Sequence, residues 1–555
     1  MRPMAGHAVP LGAPARIDLA ADPPDPRLVD AVGGARCIRE GFVPWRRVGG
    51  ATVLASARGH VLRQALPSEL GPCRVARTTE HEVVRAISTL RDRQMARAAE
   101  ALVPARLSAR SARPIAATIG LALGTAAMLI WLGPIGVVLA LTGLTILTLV
   151  LSSALRLAAL VIRMHRLRDR PTAMHARLPV VSVLLPLYDE PQILPSLVAR
   201  LAALDYPADR LDVILVVEEE DVATHGALKR LDMPPWLRSV SVPGGPVRTK
   251  PRALNYALPF ARGSIIGIWD AEDAPEPDQL RRIAARFAAA PPEVVCLQGI
   301  LDFYNPRRNW LSRCFAIEYA AWFRVILPGL ERMGLAVPLG GTTVFFRRSA
   351  LDALGGWDAH NVTEDADLGI RIARAGWRTE IIRTVTYEEA NCAVRPWIVQ
   401  RSRWLKGYAV TWAVHMRDPV ALWRDLGPWQ FAGVQVLFLC TLTQFLLAPL
   451  TWGFWMIALA LPHLTGAGLG ETGGLIVGIL LFGSEVLLFC ISAIAVRGTG
   501  HRRLVPWVPT LLMYYPLATI AAWRGVLEIA THPFHWHKTA HGAFSAPVAE
   551  ARGHA

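Results

Sequence analysis

Two nearly uncharged runs, Pro114 to Leu132 and Ile135 to about Ile162, constrain this chain more than any other feature, with only Gly133-Pro134 between them. Each is long enough to cross the apolar core of a bilayer, roughly 30 Å thick, as a helix. A helix is the form that pairs every backbone amide where no water is at hand. Arg106, Arg110 and Arg113 precede the pair, and Arg163, Arg166, Arg168 and Arg170 follow it. Clustered cations stay on the cytoplasmic side, so a hairpin over 114–162 with both ends cytoplasmic is expected. The segment that follows it is then cytoplasmic too.

A second apolar region lies between Arg424 and Arg497, an interval without Lys or Arg. It holds the runs Phe431 to Leu461 and Gly473 to Val496, and the link carrying His463 and Glu471 is expected to face outward. Arg497, Arg502 and Arg503 mark a return to the cytoplasm. The run Leu504 to Trp523, with Pro506, Pro509 and Pro516, either crosses or bends and re-enters. Residues 431–523 therefore read as a C-terminal membrane bundle and 524–555 as a basic tail.

At 555 residues the chain needs two or three folding units. Its formal charge of +15 comes from arginine, since only Lys229, Lys250, Lys406 and Lys538 are lysines. No nucleic-acid module accompanies that charge, which leaves acidic lipid and a phosphorylated substrate as its partners. Seven cysteines without a Cys-x-x-Cys spacing argue against a disulfide framework or a zinc site. Residues 1–25, rich in Pro, Gly and Ala, read as a disordered tail without a signal core, so the N-terminus is expected in the cytoplasm. Residues 26–102 read as a small α/β domain.

Between the apolar regions, residues 177–419 alternate strands and helices, the pattern of an open, mostly parallel sheet. Val180 to Leu187 and Leu211 to Val217 are continuous apolar strands, with the amphipathic helix Gln192 to Leu204 between them. Ligands bind such sheets at the carboxyl ends of the strands, where the runs Glu218-Glu-Glu-Asp221 and Asp270-Ala-Glu-Asp273 fall. A third cluster, Glu364, Asp365 and Asp367, opens a helix Asp365 to Ala375. Alone it reads as a Thr363 cap with carboxylates complementing the helix dipole. Gln400, Arg403 and Trp404 share one face of a helix Pro396 to Met416, whose Trp397, Tyr408 and Trp412 also suit a membrane surface.

In order and spacing, Asp270–Asp273, Asn361–Arg371 and Gln400-Arg-Ser-Arg-Trp404 resemble the family 2 glycosyltransferases with membrane helices, the group that includes bacterial cellulose synthase. The resemblance covers Val181 to Pro419 closely. It implies an α/β GT-A domain, Rossmann-like and of the nucleotide-diphospho-sugar transferase type, a UDP-sugar donor, and Mg²⁺ or Mn²⁺. Asp365 takes the place of the general base, beside Glu364. Asp270 is implied as a metal ligand and catalytic residue, with Glu272 or Asp273 as second ligand, because the usual Asp-x-Asp is altered here. Gln400 and Arg403 are implied at the diphosphate and Trp404 beneath the acceptor sugar. Tyr188 and Glu190, Glu218 and Glu219, and Lys250 and Asn255 are implied at the nucleotide, and Gly340-Gly-Thr-Thr343 on the acceptor side. Residues 26–102 resemble the N-terminal domain of type II secretion ATPases, with a folding or docking role.

These roles suit the residue types. Two carboxylates hold a hard cation that accepts diphosphate as co-ligand, and arginine grips phosphate with a planar fork. An indole face suits a pyranose. A base opposite the leaving group requires inversion at the anomeric carbon. The expectation is an inverting, processive synthase extending a β-glucan-like polysaccharide at the bacterial inner membrane and exporting it through a multi-pass bundle. Single-sugar transfer to a lipid or polyprenyl phosphate is one alternative, and a non-catalytic nucleotide-sensing scaffold is another. Five crossings leave few helices for a one-chain channel, which makes room for a homo-oligomer or an export partner. Phe315, Glu318, Tyr319, Trp322 and Phe323 form a helical stripe read as core rather than channel. Glu485, mid-span, is read as channel lining.

Overall fold

Four parallel strands, Leu237–Val242, Leu211–Glu218, Val181–Leu187 and Ile265–Ile268, form one half of the central sheet in that spatial order. Val344–Arg347 follows antiparallel to both neighbours, and the parallel pair Val294–Phe303 and Arg378–Glu388 completes the sheet beside the short edge Ala274–Pro275. The sheet is mostly parallel, as expected from the sequence for a GT-A domain, with Val344–Arg347 and the short edge Ala274–Pro275 reversed. The computed structural model describes residues 9–10, 16–58, 66–111, 114–164, 177–460 and 462–532. Most of the N-terminal tail, Arg166, Arg168 and Arg170, and the tail beyond residue 532 lie outside them.

The strands are apolar on both faces because helices cover both. Every residue of Leu211–Glu218 and of Val294–Phe303 is buried. One core layer joins Leu184, Ile214 and Ile268 to the helix Lys250–Ala257, and the opposite layer joins Val183, Leu215 and Trp269 to the helices Leu194–Ala202 and Gln279–Ala289.

The N-terminal unit has its own sheet, with Ala51–Ser56 between Phe42–Val48 and Cys73–Arg77. Its long helix Glu80–Glu100 opens with a capping box, Thr79 bonding the Glu82 N–H and Glu82 bonding back to Thr79. The end of the expected tail belongs to this unit. Ile17 donates to the Arg77 carbonyl at 2.9 Å and Leu19 is buried, so residues 16–25 are packed rather than disordered. The helix Glu80–Glu100 packs on Lys250–Ala257 of the large domain. Asn255 donates to the Ala99 carbonyl at 2.9 Å, Tyr256 donates to Asp92, and Ser108 and Ala109 donate to Asp358 at 2.7 and 2.6 Å.

Among the described residues, four helices are long and apolar enough to cross a membrane: Gly136–Met164, Pro419–Leu446, Thr472–Arg497 and Arg502–Thr531. Over the stretch expected to form the hairpin runs a helix Pro114–Met164 broken at Gly133, whose φ of 67° and ψ of 169° leave the helical region. Gly427, with φ 70° and ψ 172°, breaks Pro419–Val434 in the same way before Pro428. Glycine takes such angles without the clash that a Cβ would bring. Two boundaries differ from expectation. The span Pro419–Leu446 begins before Phe431, and the run beyond it continues as a separate helix, Ala448–Ala460. Pro506 and Pro509 fall in the tight turn Arg502–Thr510, after which Leu511–Thr531 runs along the helix Val394–His415. Lys406 meets Glu528 there at 3.2 Å.

Candidate active site

A cavity of about 1120 Å³ opens at the carboxyl ends of the parallel strands and continues down into the membrane helices. Its upper end is bounded by Tyr188, Glu190, Glu218 and Arg248. Its middle holds Lys250, Asp270, Glu272, Glu364, Asp365 and Glu388, and its lower end Gln400, Arg403, Trp404, Ser152, Thr441 and Tyr515.

The strand Ile265–Ile268 delivers Asp270, and the turn behind it is closed by Asp273, whose Oδ2 accepts from the Asp270 N–H at 2.8 Å and from the Thr342 hydroxyl. One Asp273 oxygen thus serves the turn while the other is buried without a hydrogen-bond partner, and of the three expected metal ligands it is Asp270 and Glu272 that line the cavity. Lys250, at the start of its helix, bonds Asp270 and donates to the Gly341 carbonyl at 2.8 Å. Burial works against its ammonium, yet Asp270 and Glu364 together hold its pKa above the ordinary value.

Like charges crowd this centre. Burial, then Asp270 and Glu190, pushes Glu272 up to about 8. Burial, then Asp273, Glu272 and Asp270, raises Glu388, a cavity residue that the motif search passed over because it ends a strand without a motif. Such a crowd suits a divalent cation, which would relieve it. Among the described residues no three His, Cys, Asp or Glu side chains converge on one metal position. Asp270 and Glu272, which both line the cavity, are the two carboxylates that could hold such a cation, with water or a phosphate ligand completing its coordination.

The cluster at Asn361–Arg371 divides in two. Its helix is Glu364–Arg374, one residue earlier than expected, and Thr363 makes no side-chain cap bond. The Thr363 hydroxyl instead lies 3.4 Å from Thr411, and a Cβ on Gly407 would collide with it, which shows how closely the helix Val394–His415 presses on this turn. Glu364 and Asp365 point into the cavity. Burial, then Asp365, pushes Glu364 up to about 7, and burial raises Asp365 as well. Asp367 turns the other way, where Arg371 Nε at 2.7 Å and His415 Nε2 at 3.0 Å enclose it.

The helix Val394–His415 contributes the third motif. Gln400 Oε1 accepts from Asn391 at 2.9 Å, and Arg403 reaches the Val362 carbonyl at 3.5 Å. Burial lowers the Arg403 pKa against the pull of Glu364, Asp365 and Asp270. Arg401, which the motif reading left without a role, pairs with Glu318 and lies 4.9 Å over the Trp404 ring, while Tyr514 donates to Glu318 at 2.6 Å. This network fixes the indole. The stripe Phe315, Glu318, Tyr319, Trp322 and Phe323, read as core, also forms the cavity wall. Helical periodicity cannot separate the two, since both need one apolar face. Glu485 is not among the lining residues.

Two expected nucleotide residues stand elsewhere. Asn255 is buried behind the sheet and bonds Ala99 and both backbone groups of Trp357, at 2.7 and 2.9 Å, so it joins the two domains. Glu219 is exposed outside the cavity, 3.4 Å from the Gly244 N–H. Tyr188, Glu190, Glu218 and Lys250 do line the cavity.

Residues 265–468 match the family model described as glycosyl transferase family group 2. The beta-monoglucosyldiacylglycerol synthase of Synechocystis sp. is 31% identical over 271 residues, covering 47% of this chain and 55% of the relative. The probable glucomannan 4-beta-mannosyltransferase 1 of Arabidopsis thaliana is 25% identical over 264 residues, 44% of this chain and 47% of its own length. The chain thus spans about half the length of these curated relatives. Among solved structures, the mannosyltransferase PcManGT from Pyrobaculum calidifontis in complex with GDP-Man and Mn²⁺ aligns with a TM-score of 0.47 at 21% identity, over 71% of this chain and 98% of that one. Asp270 at its strand end and Glu364 and Asp365 at their helix start thus share one cavity within the stretch that matches the model described as glycosyl transferase family group 2.

Proposed function

We propose that this chain is an inverting glycosyltransferase that moves a sugar from a UDP-sugar to an acceptor hydroxyl presented from the membrane, extending a β-linked polysaccharide. The observation that carries the reading is the continuity of the cavity, from the carboxylates at the sheet's carboxyl edge, past Trp404, into the membrane helices. A relative named for glucomannan synthesis supports a polymer product.

In this reading the donor's base and ribose lie near Tyr188, Glu190 and Glu218, and its diphosphate lies between Lys250 and Arg403. Asp270 and Glu272 would hold Mg²⁺ or Mn²⁺, which neutralises the leaving diphosphate. Asp365 takes the acceptor proton. Its raised pKa matches it to that task better than an exposed aspartate would be. Lys250 and Arg403 both lower its pKa, against the larger upward effect of burial. The Trp404 face, braced by Arg401, carries the acceptor sugar. The catalytic domain faces the cytoplasm of a multi-pass inner-membrane protein, where arginine-rich flanks suit acidic lipid. The N-terminal unit, read as a relative of the secretion ATPase domain, serves docking, and a second copy or an export partner completes the path for the polymer.

A second reading has its own observation. The lower cavity is lined by Leu437, Phe445, Leu488 and Ile491, a wall that suits an acyl chain, and a relative is named for glucosyldiacylglycerol synthesis. Here one sugar is transferred to a lipid. Membranes containing wild type or Asp365→Asn are given a panel of radiolabelled UDP-sugars, and products are sized and extracted. A large product absent in the variant supports the synthase. A short, lipid-extractable one supports the lipid acceptor. Equal activity in the variant removes Asp365 as the base.

A further inference from the structure

Arg252 has no exposed side-chain surface, yet it is held by three separate parts of the chain. Its Nη1 donates to both carboxylate oxygens of Glu218, at 3.2 and 3.1 Å, and its Nη2 donates to the Pro243 carbonyl. Its Nε lies 3.3 Å from Oε1 of Glu100, an ionic contact rather than an aligned hydrogen bond. Glu218 lines the upper cavity, and so do Gly245, Pro246, Val247, Arg248 and Thr249 of the loop that Pro243 begins. Glu100 belongs to neither. It is the last residue of the long N-terminal helix Glu80–Glu100.

The loop also closes directly over this pair. A Cβ on Gly245 would sit 2.7 Å from Glu100 Oε1 and 2.8 Å from Arg252 Nη2, so any larger residue there would displace the tips of this pair. A buried guanidinium needs its charge balanced on every side from which water is excluded. With Glu100 neutralised, Arg252 keeps one carboxylate, and its Nε side is left facing an uncharged neighbour. The fork then re-centres on Glu218 and loosens its hold on Pro243.

We propose that Glu100 is a positioning residue for the donor pocket: acting through Arg252, it sets the Glu218 carboxylate and the loop 243–249 against the nucleotide. The inference rests on the donor reading given above. It assigns the N-terminal unit a part in substrate binding in addition to docking, and it names a side chain through which that part is played.

The test uses the full chain purified in detergent, with UDP as the probe for calorimetric binding and the UDP-sugar that wild type turns over for kinetics. Glu100→Gln is expected to weaken UDP binding and raise donor KM about tenfold, corresponding to the loss of about 1.4 kcal/mol of positioning, with kcat held within about twofold. Glu100→Asp, which keeps the charge on a shorter stem, is expected in between, and it carries the test if the glutamine variant does not fold. Tyr256→Phe removes the bond to Asp92 at the same domain junction without touching Arg252 and is expected to bind UDP as wild type does. Unchanged UDP binding in Glu100→Gln overturns the inference, as does an equal weakening in Tyr256→Phe, which would mean general loosening of the junction. If wild type binds no UDP, the donor reading falls and the inference with it. If wild type binds and both Glu100 variants match it, the inference falls alone.

Discussion

Asp367→Asn gives a sharp test of how the acidic cluster is divided. Asp367 and Arg371 have side-chain exposures of 0% and 2%, at 2.7 Å, and His415, with none, lies 3.0 Å from the other carboxylate oxygen. Burial would raise the Asp367 pKa, but Arg371 and His415 hold it below the ordinary carboxylate value. Removing one partner of a buried ion pair costs about 3–5 kcal/mol, because the remaining charge stays buried. An asparagine still accepts one bond from His415 or Arg371, so the lower end, about 3 kcal/mol, is expected. In a unit of this size that is a fall in apparent Tm of roughly 6–12 °C. The assay is thermal unfolding in detergent at neutral pH. A depressed carboxylate contributes above its unfolded pKa and ceases to do so as pH falls through its folded one, so the gap between wild type and variant closes in acid. Asp365→Asn, whose carboxylate is destabilised by burial, should leave Tm unchanged or raised while abolishing transfer. A Tm for Asp367→Asn within about 2 °C of wild type at neutral pH would refute this reasoning, since no buried pair of this kind is so cheaply broken.

Further outcomes follow from the charges in the cavity. The transfer rate should rise with pH through an ionisation above the usual aspartate range, since burial raises Asp365 and Glu364 titrates at about 7 beside it. Because Lys250 lowers both carboxyls, Lys250→Met should move that rise toward alkaline pH, as a pH–rate profile would record. Chelation of divalent ions should stop transfer and added Mn²⁺ should restore it. Asp270→Asn should abolish the restoration, whereas Asp273→Asn, not among the lining residues, should lower Tm through its turn and leave a measurable Mn²⁺ response.

Much of this was legible in the residues. Continuous apolar runs ending in carboxylates gave the parallel sheet and its ligand edge, because strands covered on both faces cannot alternate. Arginine flanks and uncharged runs marked the membrane helices. What was not legible is which member of a cluster faces the cavity. Asp365 and Asp367 differ by two places on one helix, and only the presence of Arg371 and His415 behind it separates a buried structural ion pair from a candidate base. Asn255 shares its helix with Lys250, yet faces the N-terminal unit, whose docking no local pattern announces. Glu388 and Arg401 acquire their places from strands and helices distant in sequence.

The cavity also divides along the chain. Its upper end is built from strand termini and the loop 243–249, its lower end from the membrane segments around Ser152, Thr441 and Tyr515. In the proposed reading the donor contacts fall on the strand termini and the loop, while the acceptor path beyond Trp404 falls on the membrane segments. On that reading, a chimaera that keeps residues 177–419, Trp404 included, and takes its membrane helices from a relative with another product is expected to retain its donor sugar while the acceptor path beyond Trp404 changes.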